Sequence, residues 1–337
     1  MMNRRTFLAQ AGAATAAVAG LPYVARAFGP GKPPVGKSRV VVIRHDALAE
    51  EPLDARRVRE LLDEAAKALA GEAKAADAWA CWVKPSDRVG VKVNCLGLAT
   101  RPEVAGALAD AWSAADLAPE RVILWDRFER ELRQAGYTLR ASGAGVRCFG
   151  TDSLGSRGQG GYADELVTSG DIGSLYSRLV TDESTALVSA AVLKDHNLAG
   201  LTCALKNFYG AIHNPNKYHA NGCDPFIADV VAHPNIRGRL RLAVCDATRP
   251  QCHGGPAARS RWQWPYGGVL LATDPVALDR VAMEILDRRR AAVGLKPLAD
   301  DGRPVRYLAS AQARGLGTAD LVQIEVVSIG RPWTDVG

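Results

Sequence analysis

Strand-like and helix-like runs alternate along most of this chain. Arg39–His45 (RVVVIRH) is a short apolar run that reads as a strand. Val58, Leu61, Leu62, Ala65, Ala66 and Leu69 then recur at helical spacing. Arg88–Asn94 (RVGVKVN) and Arg121–Asp126 (RVILWD) repeat the strand pattern. A helix is expected from Pro102 to Ala115 between them, and a short charged helix after the second. Thr185–Leu193, Leu240–Asp246, Gly268–Ala272 and Leu321–Ile329 give further strands. Asp274 followed by Pro275 marks a helix start: the carboxylate can cap the first turn, and proline lacks an N–H that this position does not use. Strands alternating with helices predict an α/β fold, a mostly parallel sheet flanked by helices, in one body or two lobes.

Two stretches stand apart. Ser153–Ser177 is rich in Gly and Ser, weakly patterned, and reads as a long loop or lid (153–177). Its glycines do not lie between a strand and a helix start, which speaks against a dinucleotide or phosphate loop. Within Leu198–Ile212, Leu198, Leu201, Ala204, Leu205 and Phe208 fall at helical spacing, so a helix with a core-facing stripe is expected. Asn214-Pro215-Asn216 then signals a turn.

Composition changes the picture at the N-terminus. Arg4-Arg5 precede Thr6, Phe7 and Leu8, then a weakly hydrophobic Ala/Gly region and Ala25-Arg26-Ala27. This resembles a twin-arginine export signal over residues 1–27, cleaved after Ala27. A Pro/Gly linker (28–37) and a single domain (38–330) follow. The expectation is a periplasmic protein handled by the twin-arginine export machinery, with no transmembrane segment in the mature chain. Losing three arginines and no acids takes the formal charge from +6 to +3. No Lys/Arg block with interleaved aromatics exists, so nucleic acid is not an expected partner. None of the seven cysteines forms C-x-x-C, which excludes a ferredoxin-type iron–sulfur run and a zinc ribbon. Buried small hydrophobes are expected, with one disulfide allowed by an oxidising compartment.

Candidate chemistry collects at strand ends, where ligands bind in open α/β sheets. RVGVKVN ends in Lys92 and Asn94, RVILWD in Asp126, the Thr185 strand in Lys194-Asp195-His196, and the Leu240 strand in Asp246. Asp126 and Asp246 could instead serve as helix caps or turn formers. Lys92, if buried between covered faces, needs a partner. The segment from Lys194 to His219 holds three lysines and three of the six histidines. A helix dipole accounts for His213 and Lys206 but not for Lys194-x-His196 or for His219. The candidate catalytic residues are therefore His196, Lys206, Lys194 and His219, with Lys92, Asn94, Asn207, Asp246 and Asp126 as substrate contacts. His213, His219 and Cys223 are metal-ligand types in a short span, although their spacing matches no standard zinc signature.

KDHNLAGLTCALKNFYG, with VGVKVN before it and GGVLLATDPVALD after it, resembles the domain-of-unknown-function 362 family over roughly Ser38 to Gly294. The resemblance carries over Lys92, Asn94, Lys194, His196, Lys206, Asn207, His219, Asp246, Asp274 and Asp279 as the family's polar positions. Many relatives add a ferredoxin-like four-cysteine module, which this chain lacks. A distant likeness in fold to the nickel-pincer lactate racemase group suggests hydroxy-acid chemistry by analogy alone. The leading expectation is a small-molecule enzyme of unassigned reaction, acting on an anionic carboxylate or phosphate through a Lys/His/Asp pocket. The alternatives are a metal or redox-cofactor protein, the cofactor being unspecified, and a non-catalytic ligand-binding protein.

Overall fold

The computed structural model describes residues 36–154 and 160–337. The expected export signal, most of the expected linker and residues 155–159 of the expected lid lie outside the described residues. Within them the chain builds a nine-stranded sheet: β1 (Ser38–Arg44), β2 (Val89–Val93), β3 (Val122–Asp126), β4 (Arg147–Gly150), β7 (Ala186–His196), β8 (Gly200–Thr202), β9 (Leu240–Gln251), β10 (Gly268–Ala272) and β11 (Ile324–Gly330). The order is β11-β1-β10-β9-β7-β2-β3-β4, with β8 paired to β7. Five pairings are parallel and three antiparallel, so the expected mostly parallel α/β sheet is what forms.

Every residue of β2, β3, β7 and β10 is buried, because helices cover both faces. Alternate side chains go to opposite cores. Val41, Ile43, Val89, Val91 and Val93 meet the helices Ala55–Ala70 and Pro102–Ala111. Val40, Val42, Ile123, Trp125, Leu187 and Leu270 face the other side, where Phe226–Ala232, Pro275–Ala292 and Tyr307–Ala313 pack. Asp274 caps the helix Pro275–Ala292 as expected, accepting from Val276 N and Ala277 N, both at 2.9 Å. Among the described residues, no helix is long and apolar enough to cross a membrane.

Two expectations need correction. The described part of 153–177 is not a long loop: β5 (Tyr162–Ser169) and β6 (Ile172–Ser177) form an antiparallel hairpin. It is anchored where the Tyr176 ring stacks on His233 and its hydroxyl donates to Val230 O. The expected helix Leu198–Ile212 is also absent. Gly200, in the left-handed region at φ 76°, begins β8, and only Lys206–Ala211 is helical, as a 3-10 turn. The apolar stripe is real, since Leu201, Ala204, Leu205 and Phe208 are fully buried. Leu198, also expected in the stripe, is instead 45% exposed, because the chain turns into β8 after it. The cause of the burial is different: the amides of Ala204 and Leu205 donate to the buried Asp279 carboxylate (2.7 and 3.2 Å). All seven cysteines are free thiols.

Candidate functional site

The parallel strands β2, β3 and β7 run toward the same edge, β7 continuing past the other two, and their last polar residues line a cavity of about 450 Å³. The 3-10 turn Lys206–Ala211 and the segment ending in His219 contribute further lining. Eight expected residues meet here: Lys92, Asn94, Asp126, Lys194, His196, Lys206, Asn207 and His219.

Lys92 forms the floor. It alternates with Val91 and Val93, and so projects from the opposite face of β2. Its Nζ donates to Asp126 Oδ1 (2.6 Å), Val93 O (2.6 Å) and Asn207 Oδ1 (3.2 Å). Asp126 also accepts from Cys95 N and Arg127 N, both at 2.7 Å, tying the chain leaving β2 to the chain leaving β3. Asn207 Nδ2 donates back to Lys92 O (2.7 Å). A Cβ on Gly210 would lie 2.6 Å from Lys92 Nζ and 2.8 Å from Asp126 Oδ1, so glycine lets the ion pair fit beneath the turn.

Lys194 donates to Asn94 Oδ1 (2.8 Å), Leu98 O (2.7 Å) and Leu96 O. Burial, and then the charge of Lys206, pull its pKa down to about 7. The nearby Asp126 and Asp195 carboxylates act the other way and favour the ammonium.

Lys206 differs from both. Its Nζ lies 3.4 Å from His219 Nε2 and 4.3 Å from the centre of the Tyr209 ring. Among the described residues it has no oxygen acceptor, although it is only 8% exposed. Burial lowers its pKa to about 8.

The two histidines are fixed in opposite tautomers by their backbone partners. His196 Nδ1 accepts from Leu198 N (3.1 Å) and Ala199 N (3.2 Å), which assigns its proton to Nε2. His219 Nδ1 lies 2.9 Å from Pro215 O, which only accepts, so Nδ1 carries the proton and Nε2 keeps its lone pair. The rings stack at 5.6 Å between centres and 25° between planes. Burial first, then the Lys206 charge, lower both pKa values, that of His196 to about 2. Both are neutral imidazoles: His196 a donor, His219 an acceptor.

Three expected residues stay outside the cavity. Asp246 does not end its strand, because β9 continues to Gln251. It accepts from Arg101 N (2.9 Å), at the entry to the helix Pro102–Ala111, and from Thr248 N and Oγ1 (3.0 and 2.7 Å). It thus ties the strand to the entry of that helix and does not face the cavity. His213 is exposed, with its ring against Tyr162 and its amide donating to Leu175 O, which ties it to the β5–β6 hairpin. Cys223 is fully buried, reached through three consecutive left-handed residues, Asn221, Gly222 and Cys223. The trio His213, His219 and Cys223 is therefore not a ligand set, and no group of three His, Cys, Asp or Glu among the described residues is placed to hold a metal.

The cavity also recruits residues that strand-end reasoning passed over. Arg127 follows Asp126 directly and has a buried Nε without a hydrogen-bond partner; its position after a strand end was a usable signal. Glu131, whose carboxyl is pushed up by burial and then by Asp126, sits in a charged helix that gave no signal. A larger cavity, about 800 Å³, lies between the hairpin and Phe226–Ala232, but its Asp229 and Arg314 pair with each other.

An α/β protein with a cationic pocket at the carboxyl ends of its parallel strands is the class defined here. The family described as Domain of unknown function (DUF362) matches residues 83–284, and the chain belongs to that family. All eight cavity residues named above lie inside the match. No curated protein matches the chain.

Proposed function

We propose that this is a small-molecule enzyme acting on an anionic substrate, a carboxylate or phosphate. One observation carries the reading: Lys206 is a buried cation whose N–H groups open on the cavity without an oxygen acceptor among the described residues. A buried ammonium left so is costly unless a ligand supplies the acceptor. The histidines support catalysis over mere binding. His219 Nε2 can take a proton from the substrate, His196 Nε2–H can donate to an oxygen that gains charge, and Lys206 stabilises the anion between them. Lys92 and Lys194 have their donors occupied, so they supply rigidity to the site.

The proposal includes export. The twin-arginine signal over 1–27, cleavage after Ala27 and a periplasmic single domain (38–330) without a ferredoxin module rest on the sequence motifs. The test is calorimetry against a panel of hydroxy acids, simple carboxylates and phosphates. Lys206→Met should weaken anion binding about 10- to 100-fold, as charged hydrogen bonds are worth about 1.5–3 kcal/mol. The surface control Lys296→Met should not. Equal affinities in both variants would remove Lys206 from the mechanism. For any panel member that turns over, His219→Asn should lose turnover and keep binding; unchanged turnover excludes His219 as the base.

A further inference from the structure

Among the described residues six large apolar side chains stand exposed, and two of them, Leu96 (57%) and Leu198 (45%), line this one cavity. Neither sits on a loose loop. Leu96 O accepts from Lys194 Nζ, and Leu198 N donates to His196 Nδ1 at 3.1 Å. The polar residues of the floor thus hold the backbone of both leucines at the rim. Gly97 fixes Leu96 further: at φ 72° it packs so closely that a Cβ would lie 2.0 Å from Pro256 O. Pro256 and Phe128 add two more apolar side chains to the same lining.

A small, fully polar anion would satisfy Lys206 and leave these leucines in water. Exposed leucines are common singly, but a pair held in place beside a buried cation is a matched surface. We infer that the ligand is a single-chain amphiphile: an aliphatic carboxylate whose head meets Lys206 and whose tail lies across Leu96 and Leu198. This rests on the reading of Lys206 as the anion site and names the substrate class for it.

The experiment is a chain-length series, acetate, butyrate, hexanoate and octanoate, titrated by calorimetry into the mature protein, with 1-octanol as the uncharged control. Each methylene from butyrate onward should tighten Kd about threefold to fourfold, the equivalent of up to about 0.8 kcal/mol per buried CH₂. In Leu96→Ser/Leu198→Ser the ratio of octanoate to butyrate affinity should fall toward one. In Lys206→Met every member should weaken and the ratio should persist. Circular dichroism and thermal melts confirm that each variant folds. A flat series with Lys206-dependent binding would overturn the inference and leave the anion pocket standing. A series indifferent to Lys206 would overturn the anion reading itself. A steep series unchanged in the double leucine variant would place the tail elsewhere and overturn the inference. So would leucine-dependent sedimentation with anionic phospholipid vesicles in a protein whose series is flat, which would make the rim a membrane contact.

Discussion

A lysine ammonium has three N–H donors, and counting their acceptors separates the three lysines of the cavity. Lys92 and Lys194 each donate to three oxygens. Among the described residues Lys206 meets only an imidazole nitrogen and an aromatic face. Burial lowers its pKa to about 8, so in the empty pocket the proton leaves as pH rises through 8. A bound anion favours the charged form and raises that pKa. Above pH 8, binding must therefore bring a proton with it. Anion affinity should be level below pH 7 and fall roughly tenfold per pH unit above 8. Calorimetry in buffers of different ionisation enthalpy should show proton uptake at pH 9, absent in Lys206→Met. A flat profile from pH 7 to 9.5 would mean that Lys206 does not meet the anion. The residue types were legible in the sequence; the unused donors were not, because acceptors such as Leu96 O and Val93 O are backbone atoms that any residue could supply.

The element that matters most is the short one after β8. Lys206–Ala211 was expected as the end of a long helix, since apolar residues three and four apart suit a helix. They suit equally a strand, a turn and a 3-10 segment that together bury one side. The deciding partner, Asp279, lies 75 residues from Ala204, and no local pattern can carry it. The long elements, by contrast, are readable: Ala55–Ala70 forms around the Val58 to Leu69 periodicity and the capped helix starts at Pro275 as expected, because periodicity and caps are local. The turn rests on the strand ends through Gly210. Gly210→Ala would drive a Cβ to 2.5 Å from Lys92 Cε and 2.8 Å from Asp126 Oδ1, between the partners of a buried ion pair. It should destabilise the protein by about 1–3 kcal/mol, the usual effect of overpacking, in urea unfolding monitored by fluorescence. Wild-type stability for Gly210→Ala would show that the turn can lift off the strand ends.

At the scale of the whole molecule, direction of strands decides which polar residues meet. β2, β3 and β7 are parallel neighbours, so their final residues arrive at one edge. Strand ends read from the sequence therefore found five of the residues that line the cavity, Lys92, Asn94, Asp126, Lys194 and His196. Asp195 escapes because successive residues of β7 alternate in direction; it pairs with Arg303 at 2.7 Å. Asp246 escapes because it shares the face of Leu242 and Val244, opposite Lys92, and there accepts from Arg101 N. The same sheet bears on export. β1 sits between β10 and β11, so the first strand finds its partners only in the last third of the chain. Such long-range pairing is slow to form. A chain threaded unfolded across a membrane would have to build this sheet afterwards, whereas a folded passenger carries its cavity across intact. The twin-arginine motif at Arg4-Arg5 is the element expected to select the second route. Arg4→Lys/Arg5→Lys should leave full-length precursor in the cytoplasm, seen by cell fractionation and immunoblotting, with the protein folded and protease-resistant there. Mature protein in the periplasm at wild-type level from that variant would rule the twin-arginine route out.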